Sequence, residues 1–327
     1  MALQDTGAPV ATNKGPGSGA SESPTTRGTR LNQGMDRSTL ISTPGYYRRA
    51  WRTLRHDSVA MSSLVLSFLL LVFSFGAPVV SAITGHDYAT GDLTNFLTPW
   101  MQTWDYPLGT DPNGRDILVR LAYGGRVSMT VAIIALAVAL LIGLTLGAIA
   151  GFYGGFVDTA IMRFVDVIIS IPSIAVLLLI SVWISPGPVG LAVIIALLGW
   201  TGLARLIRGE VLSLRSRDYV DAARVMGASN RTIITRHIFP NVISLVIVWS
   251  SLALPGLIIT EATLSYLGFG VQIPTPSWGN MLQEAYQFIT LSWTYAFLPG
   301  LFIFLAALAF NLLGIGLRDA LDPRLNN

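Results

Sequence analysis

Few side chains in this sequence stand where they could make or break a bond. The stretch Leu108-Gly-Thr-Asp-Pro-Asn-Gly-Arg-Asp116 alternates acids with turn residues, a composition that could ligate calcium through oxygen. The ligand spacing of a calcium loop and its closing Glu are missing, however, and Asp111-Pro-Asn-Gly114 is the chemistry of a tight turn. His86 is a lone histidine, expected as a solvated side chain rather than a metal ligand. The chain has no cysteine, so neither a disulfide framework nor a thiolate metal site is available. A P-loop needs a lysine to reach the phosphates. The single lysine is Lys14, and no G-x-x-x-x-G-K-[ST] exists. The chain is expected to hold no metal and no cofactor and to catalyse no covalent step; if it takes part in ATP-driven work, ATP and Mg belong to other polypeptides.

The chemistry that remains is recognition. Between long apolar blocks lies one polar stretch, Arg217-Asp-Tyr-Val-Asp-Ala-Ala-Arg-Val-Met-Gly-Ala-Ser-Asn-Arg231, followed by a run that closes at Pro240. Tyr219, Ala222, Ala223 and Met226 recur at the spacing of one helix face. Asp218 is placed to cap that helix, Asp221 takes the capping-box position, Gly227 suits the left-handed residue that ends it, and Ser229 can cap the next. The spacing predicts a short helix, a sharp turn and a second helix. Its exposed ridge is small in the middle, at Ala222 and Ala223, and ringed by Asp221, Arg224 and Arg231. Small residues admit a close partner and charges orient it, which is the shape of a docking knob.

The elements that hold this knob are apolar. Of 327 residues 52% are hydrophobic and 12% charged, about half the charged share of an ordinary soluble domain. The mean hydropathy is +0.59. Blocks of about 20 apolar residues predict six membrane spans: Val59–Ile83, Val127–Phe152, Phe164–Ser185 with Pro172 inside, Val189–Leu206, Asn241–Thr260 with Pro255 inside, and Ala296–Leu317 with Asn311. Residues 1–44 are rich in Gly, Ser, Thr and Pro and are expected as a disordered cytoplasmic tail. Residues 45–58 mix Arg48, Arg49, Arg52 and Arg55 with Tyr46, Tyr47 and Trp51 and suit a helix at the membrane surface. The six-span domain is then 59–327, with external loops at 84–126 and 261–295 and a cytoplasmic loop at 207–240. No internal repeat is visible.

Arginines choose the orientation. With cytoplasmic termini the inner side holds Arg48, Arg49, Arg52, Arg55, Arg163, the seven arginines from Arg205 to Arg236, Arg318 and Arg324. The outer side holds Arg115, Arg120 and Arg126 against five aspartates, from Asp87 to Asp116. This partition reads the net charge of +3 as topology rather than nucleic-acid binding. Trp100, Trp104, Trp278 and Trp293 fall near outer boundaries. Glu261, at the outer end of the fifth span, together with Tyr266, Phe269 and Trp278 in the Gly- and Pro-rich segment beyond, is a candidate lining of a path or its outer mouth. That segment is expected to be a re-entrant or surface loop. Pro172 and Pro255 are expected to kink their spans.

Asp221-Ala-Ala, Gly227 and then Pro240 resemble the "EAA loop" of ABC-importer permeases, with Asp221 where the pattern usually has Glu. The resemblance extends through Pro107-Leu-Gly-Thr-Asp111, Gly114-Arg-Asp116, Leu121-Ala-Tyr-Gly-Gly-Arg-Val-Ser128, Arg163-Phe-Val-Asp166, Gly199-Trp-Thr-Gly-Leu-Ala-Arg205, Leu264-Ser-Tyr-Leu-Gly-Phe-Gly-Val271, Pro274-Thr-Pro-Ser-Trp-Gly279 and Leu317-Arg-Asp-Ala-Leu-Asp-Pro-Arg324. In order, these are similar to the second permease of the dipeptide/oligopeptide/nickel ABC transporters, from about Arg48 onward. Ile315 departs from it, where an acid usually follows Asn311-Leu-Leu-Gly314. The resemblance implies an all-α integral membrane protein of the type I importer fold in the inner membrane of a prokaryote. It also implies a coupling helix at Tyr219, Asp221, Ala222, Ala223, Arg224, Met226 and Gly227. The implied partners are a second, homologous permease, two P-loop ATPases and an extracytoplasmic binding protein. Peptides are the implied cargo; nickel, opines, glutathione or antimicrobial peptides stay open, as does an ATP-independent carrier or channel.

Overall fold

The computed structural model describes residues 46–184 and 187–321, so the expected tail at 1–44 and Arg324 lie outside the described residues. Among the described residues the chain is helical, with no strand beyond an isolated bridge between Thr110 and Asp116. Helix α1 (Tyr46–His56) buries Ala50 and Leu54 against Ala320 and Leu321, leaving Trp51 exposed. Asp57 then caps α2 (Ser58–Phe75), its carboxylate accepting from the Val59 and Ala60 N–H groups. The expected first span is two helices, because Pro78 has no N–H to continue a helix: α2 ends at Gly76 and α3 (Ala77–Thr84) begins again.

Helix α4 (Ile117–Tyr153) is far longer than the expected second span. Its first turn is capped by the Asp116 carboxylate, which accepts from the Leu118 N–H at 2.8 Å. The third span breaks at Ile171–Pro172 into α5 (Gly155–Ser170) and α6 (Ser173–Ile184), bent by 81°. The fourth, α7 (Pro188–Gly199) and α8 (Thr201–Arg215), bends by 45° at Trp200. Beyond the polar stretch, α11 (Phe239–Tyr266) runs through Pro255 without interruption, so no break appears there. Helix α12 (Trp278–Tyr286) turns back against α11, and α13 (Trp293–Leu321) completes the described chain. Four of these helices are long and apolar enough to cross a membrane, or up to six if each bent pair is one span.

The helices close on α4. On one side α2, α11, α12 and α13 gather around Trp278, and on the other α7 and α8 lie along it. Gly143, Gly147 and Gly151 form a stripe four residues apart, and a Cβ there would lie 2.9, 2.6 and 2.7 Å from the backbone oxygens of Trp200, Ala204 and Arg208. Glycine lets the two backbones touch, as small residues do between membrane helices. A side chain at Gly147 therefore has no free space. Gly147→Leu is expected to lower both membrane abundance and melting temperature, in the overpacking range of about 1–3 kcal/mol or more. Gly209→Leu on α8, where a Cβ meets nothing within 4 Å, is the matched control and should melt like the parent.

Candidate functional site

The polar stretch folds as a short helix on an inclined base. Arg217 N–H bonds the Leu214 carbonyl at 3.2 Å, closing α8 before α9 (Asp218–Val225) begins. Arg217, not Asp218, occupies the cap, and no side chain caps it; Asp218 is already helical, where its charge still favours the positive helix end. Gly227 adopts φ 84°, and the Ala228 N–H reaches back to the Ala223 carbonyl at 3.0 Å. Ser229 then accepts from the Thr232 N–H to start α10 (Asn230–Thr232). A π-helical turn, Ile233–Ile238, leads into α11 with Ile233 and Ile238 buried. The second helix of the pair is thus the foot of a long helix.

The exposed ridge differs from the one the spacing suggested. Val220 and Ala223 face inward and are buried, because the ends of α4 and α8 at Phe152 and Leu214, with Ile233 of the following turn, supply an apolar seat. The open surface is Asp218, Asp221, Ala222, Arg224, Val225 and Met226, the last two 89% and 81% exposed. Tyr219 is half exposed, its ring 6.2 Å from that of His237. Asp221 and Arg224 pair at 3.0 Å on the helix surface. Two charged residues thus flank a flat apolar patch. Behind it, α5 is tied to α8: Asp166 accepts from Arg205 at 2.6 Å, and Asp158 takes a forked contact from Arg208. Each of these arginines thus has a carboxylate partner on a neighbouring helix.

At the other end Glu261 is fully buried. Its Oε1 accepts from Ser265 at 2.7 Å, and Ser265 in turn accepts from the Val271 N–H. The loop after Tyr266 folds back through Gly268 and a capping box of Ser277 with Asn280, whose amide holds the Val271 and Thr275 carbonyls. Trp278 is wholly buried, its indole donating to the Leu121 carbonyl at 2.9 Å. Tyr266 and Phe269 are half-buried. Glu261 and Trp278 therefore sit inside the packing between α4, α11 and α12 rather than on an open wall.

Sequence reasoning missed a buried ion cluster beside them. Asp111 pairs with Arg115 at 2.6 Å and with Arg120, and both arginines reach Glu284 on α12, at 3.1 and 2.9 Å. Tyr295 on α13 donates to the same Glu284 oxygen at 3.0 Å. Arg120 and Asp111 are wholly buried. The signal was present as an arginine on the same helix face as Ile117 and Leu121, beside an Asp–Arg pair four residues apart. His86 is not freely solvated either: it contacts Asp116 at 2.9 Å and stacks on Tyr106, centroids 4.4 Å apart. Partial burial, with Asp105, Asp92 and Asp116 nearby, raises the pKa of the Tyr106 hydroxyl. Among the described residues no group of three or more His, Asp or Glu side chains could hold a metal ion.

Residues 143–327 match the model of the binding-protein-dependent transport system inner membrane component, and residues 45–105 that of the N-terminal membrane domain of oligopeptide transport permease C. The oligopeptide transport system permease protein OppC of Salmonella typhimurium is 40% identical over 278 residues, 85% of this chain and 91% of that one. This chain belongs to the binding-protein-dependent transport permeases. The dipeptide transport permease DppC of Bacillus subtilis is 37% identical over 86% of each chain, and the glutathione transport permease GsiD of Pectobacterium atrosepticum 38% over 89% of this chain and 95% of its own. A solved structure of the inward-facing MetNI methionine ABC transporter shares the fold, with a TM-score of 0.50 at 17% identity over 62% of this chain and 96% of that one. As a permease of this family the chain is a multi-pass inner-membrane protein and a non-catalytic transport subunit.

Proposed function

We propose that this permease forms half of the translocation path of an ATP-driven peptide importer and receives the work of its ATPases through α9. The observation that carries the reading is α9 itself: a short helix with an apolar, charge-flanked open face, seated on the ends of α4 and α8 and joined by the Gly227 turn to the helix that runs on through the π-helical turn into α11. Two P-loop ATPases would supply ATP and Mg, a second homologous permease the other half of the path, and an extracytoplasmic binding protein the cargo. Six spans follow if each bent pair crosses once. The arginine distribution then places both termini and α9 in the cytoplasm, and the α11–α12 loop outside.

Dipeptides and oligopeptides are the preferred cargo, since the permease C model and the OppC and DppC relatives carry those names. Glutathione, itself a short peptide, is the second reading, favoured by the GsiD relatives. Alternating access is supported by the breaks at Pro172 and Trp200, which allow helix segments to swing while α4 runs unbroken. The test is uptake by proteoliposomes holding this chain with its partners. Peptide accumulation should require internal-facing ATP, the binding protein and this subunit. Gradient-driven uptake by this chain alone, or an external thiol reagent labelling a cysteine at Asn230, would defeat the reading.

A further inference from the structure

Arg115 and Arg120 are both held by carboxylates, but the third arginine of the same segment is not. Arg126 is exposed on α4, and its guanidinium has no ion pair or hydrogen bond among the described residues. It lines a cavity of about 250 Å³ with Tyr88, Tyr123, Pro188, Thr275 and Pro276, and no carboxylate shares that lining. A further feature points to an anion. Pro188 opens α7, a helix of 12 residues whose first turn carries no side-chain cap, so the positive end of its dipole meets the cavity. Tyr88 and Tyr123 pack with ring centroids 4.7 Å apart, giving the cavity an aromatic wall.

We propose that this cavity is a carboxylate subsite on the transport path, taking the C-terminal carboxylate of a peptide as it leaves the binding protein. The inference rests on the peptide-importer reading. A free guanidinium presents a planar fork that matches two carboxylate oxygens. The volume, below the range of pockets that enclose a whole drug-sized ligand, suits one terminal residue rather than an oligopeptide. The one anionic group that every unmodified peptide carries is its C-terminal carboxylate. A subsite for it therefore reads peptide identity without reading sequence, with the tyrosine wall accepting varied last side chains.

Thr275, half-buried at the cavity edge, provides the probe, because the chain has no cysteine of its own. In the assembled transporter, with partner subunits made cysteine-free, Thr275→Cys is labelled by an impermeant maleimide. Trialanine should slow the labelling by about 5-fold or more and trialanine amide should not, since only the acid makes the charge-assisted fork. Arg126→Gln on the same background should abolish the protection, judged against that variant's own rate without peptide, because loss of a nearby cation by itself lowers thiolate reactivity. Arg126→Lys should keep part of it. Equal protection by the amide, protection that survives Arg126→Gln, or a cysteine sealed from reagent in every state overturns the subsite. Arg126-dependent protection by a binding protein loaded only with the amide assigns the carboxylate to that partner and overturns it too. If labelling occurs only from the inside, the orientation is wrong, and the acid–amide comparison in opened vesicles still decides the subsite. If the wild-type transporter accumulates peptide while protection ignores Arg126, the subsite alone fails; if it accumulates none, the importer reading fails.

Discussion

Ala222→Glu leaves the protein inserted and abundant but lowers peptide transport to near background, and substrate-stimulated ATP hydrolysis by the partner subunits falls with it. Ala222 lies on the open face of α9, so a longer side chain there meets solvent in the isolated subunit and costs the fold little. In the complex the same side chain would occupy the space of a partner groove. Gly227→Val should reach the same end by another route. A Cβ there meets no atom within 4 Å, so its penalty is the left-handed φ of 84°, about 1–2 kcal/mol and more for a branched residue. Asp221→Glu should be nearly silent, while Asp221→Lys places a cation beside Arg224 and should uncouple. Ala223→Glu is the contrast, because Ala223 is buried and its loss should appear as reduced abundance. Normal transport by Ala222→Glu at matched expression would show that α9 is not the dock.

The second large effect is on folding. Arg120→Met removes the fully buried cation of the cluster and leaves Asp111 and Glu284 sharing Arg115 alone. Breaking a buried pair from one side costs about 3–5 kcal/mol, because the remaining charge stays desolvated. The variant is expected to accumulate poorly and, where it can be purified, to melt well below the parent. Tyr295→Phe deletes one hydrogen bond to Glu284 and should cost about 1.5–3 kcal/mol at most. The double variant Asp111→Leu with Arg120→Met removes both charges and should recover part of the loss. Parental abundance and melting for Arg120→Met alone would mean the cluster contributes little to the fold.

What the sequence disclosed follows from what is local. The apolar blocks, the turn at Gly227, the Ser229 cap and the break at Pro172 each depend on residues within one turn of one another, and periodicity or backbone chemistry exposes them. The inward face of α9 was misjudged at Ala223 because an alanine carries no signal of which side is covered; only the seat formed by α4 and α8 decides it. Charge counting read Arg120 only as part of an outer loop, whereas it lies in α4, and could not show that Glu284, 164 residues on, would meet it. Glu261 and Trp278 were drawn toward an open mouth by their position at a span end, whereas the returning α12 covers them. The Gly143, Gly147 and Gly151 stripe was legible in principle from its four-residue period. Which helix it would receive was not.

The length of α4 has a mechanical corollary. Its 37 residues extend about 55 Å at the helical rise, well beyond a hydrocarbon core of about 30 Å. One end grips the buried ion cluster through Arg120, and the other lies along α8 beneath the seat of α9. A stiff rod pivoting near its middle moves its two ends in opposite directions. A tilt of about 10° displaces each tip by about 5 Å for a rod of that length. Opening at one membrane face and closure at the other then become a single movement, in the manner of a seesaw, and the bends at Pro172 and Trp200 mark where neighbouring segments yield so that the beam need not.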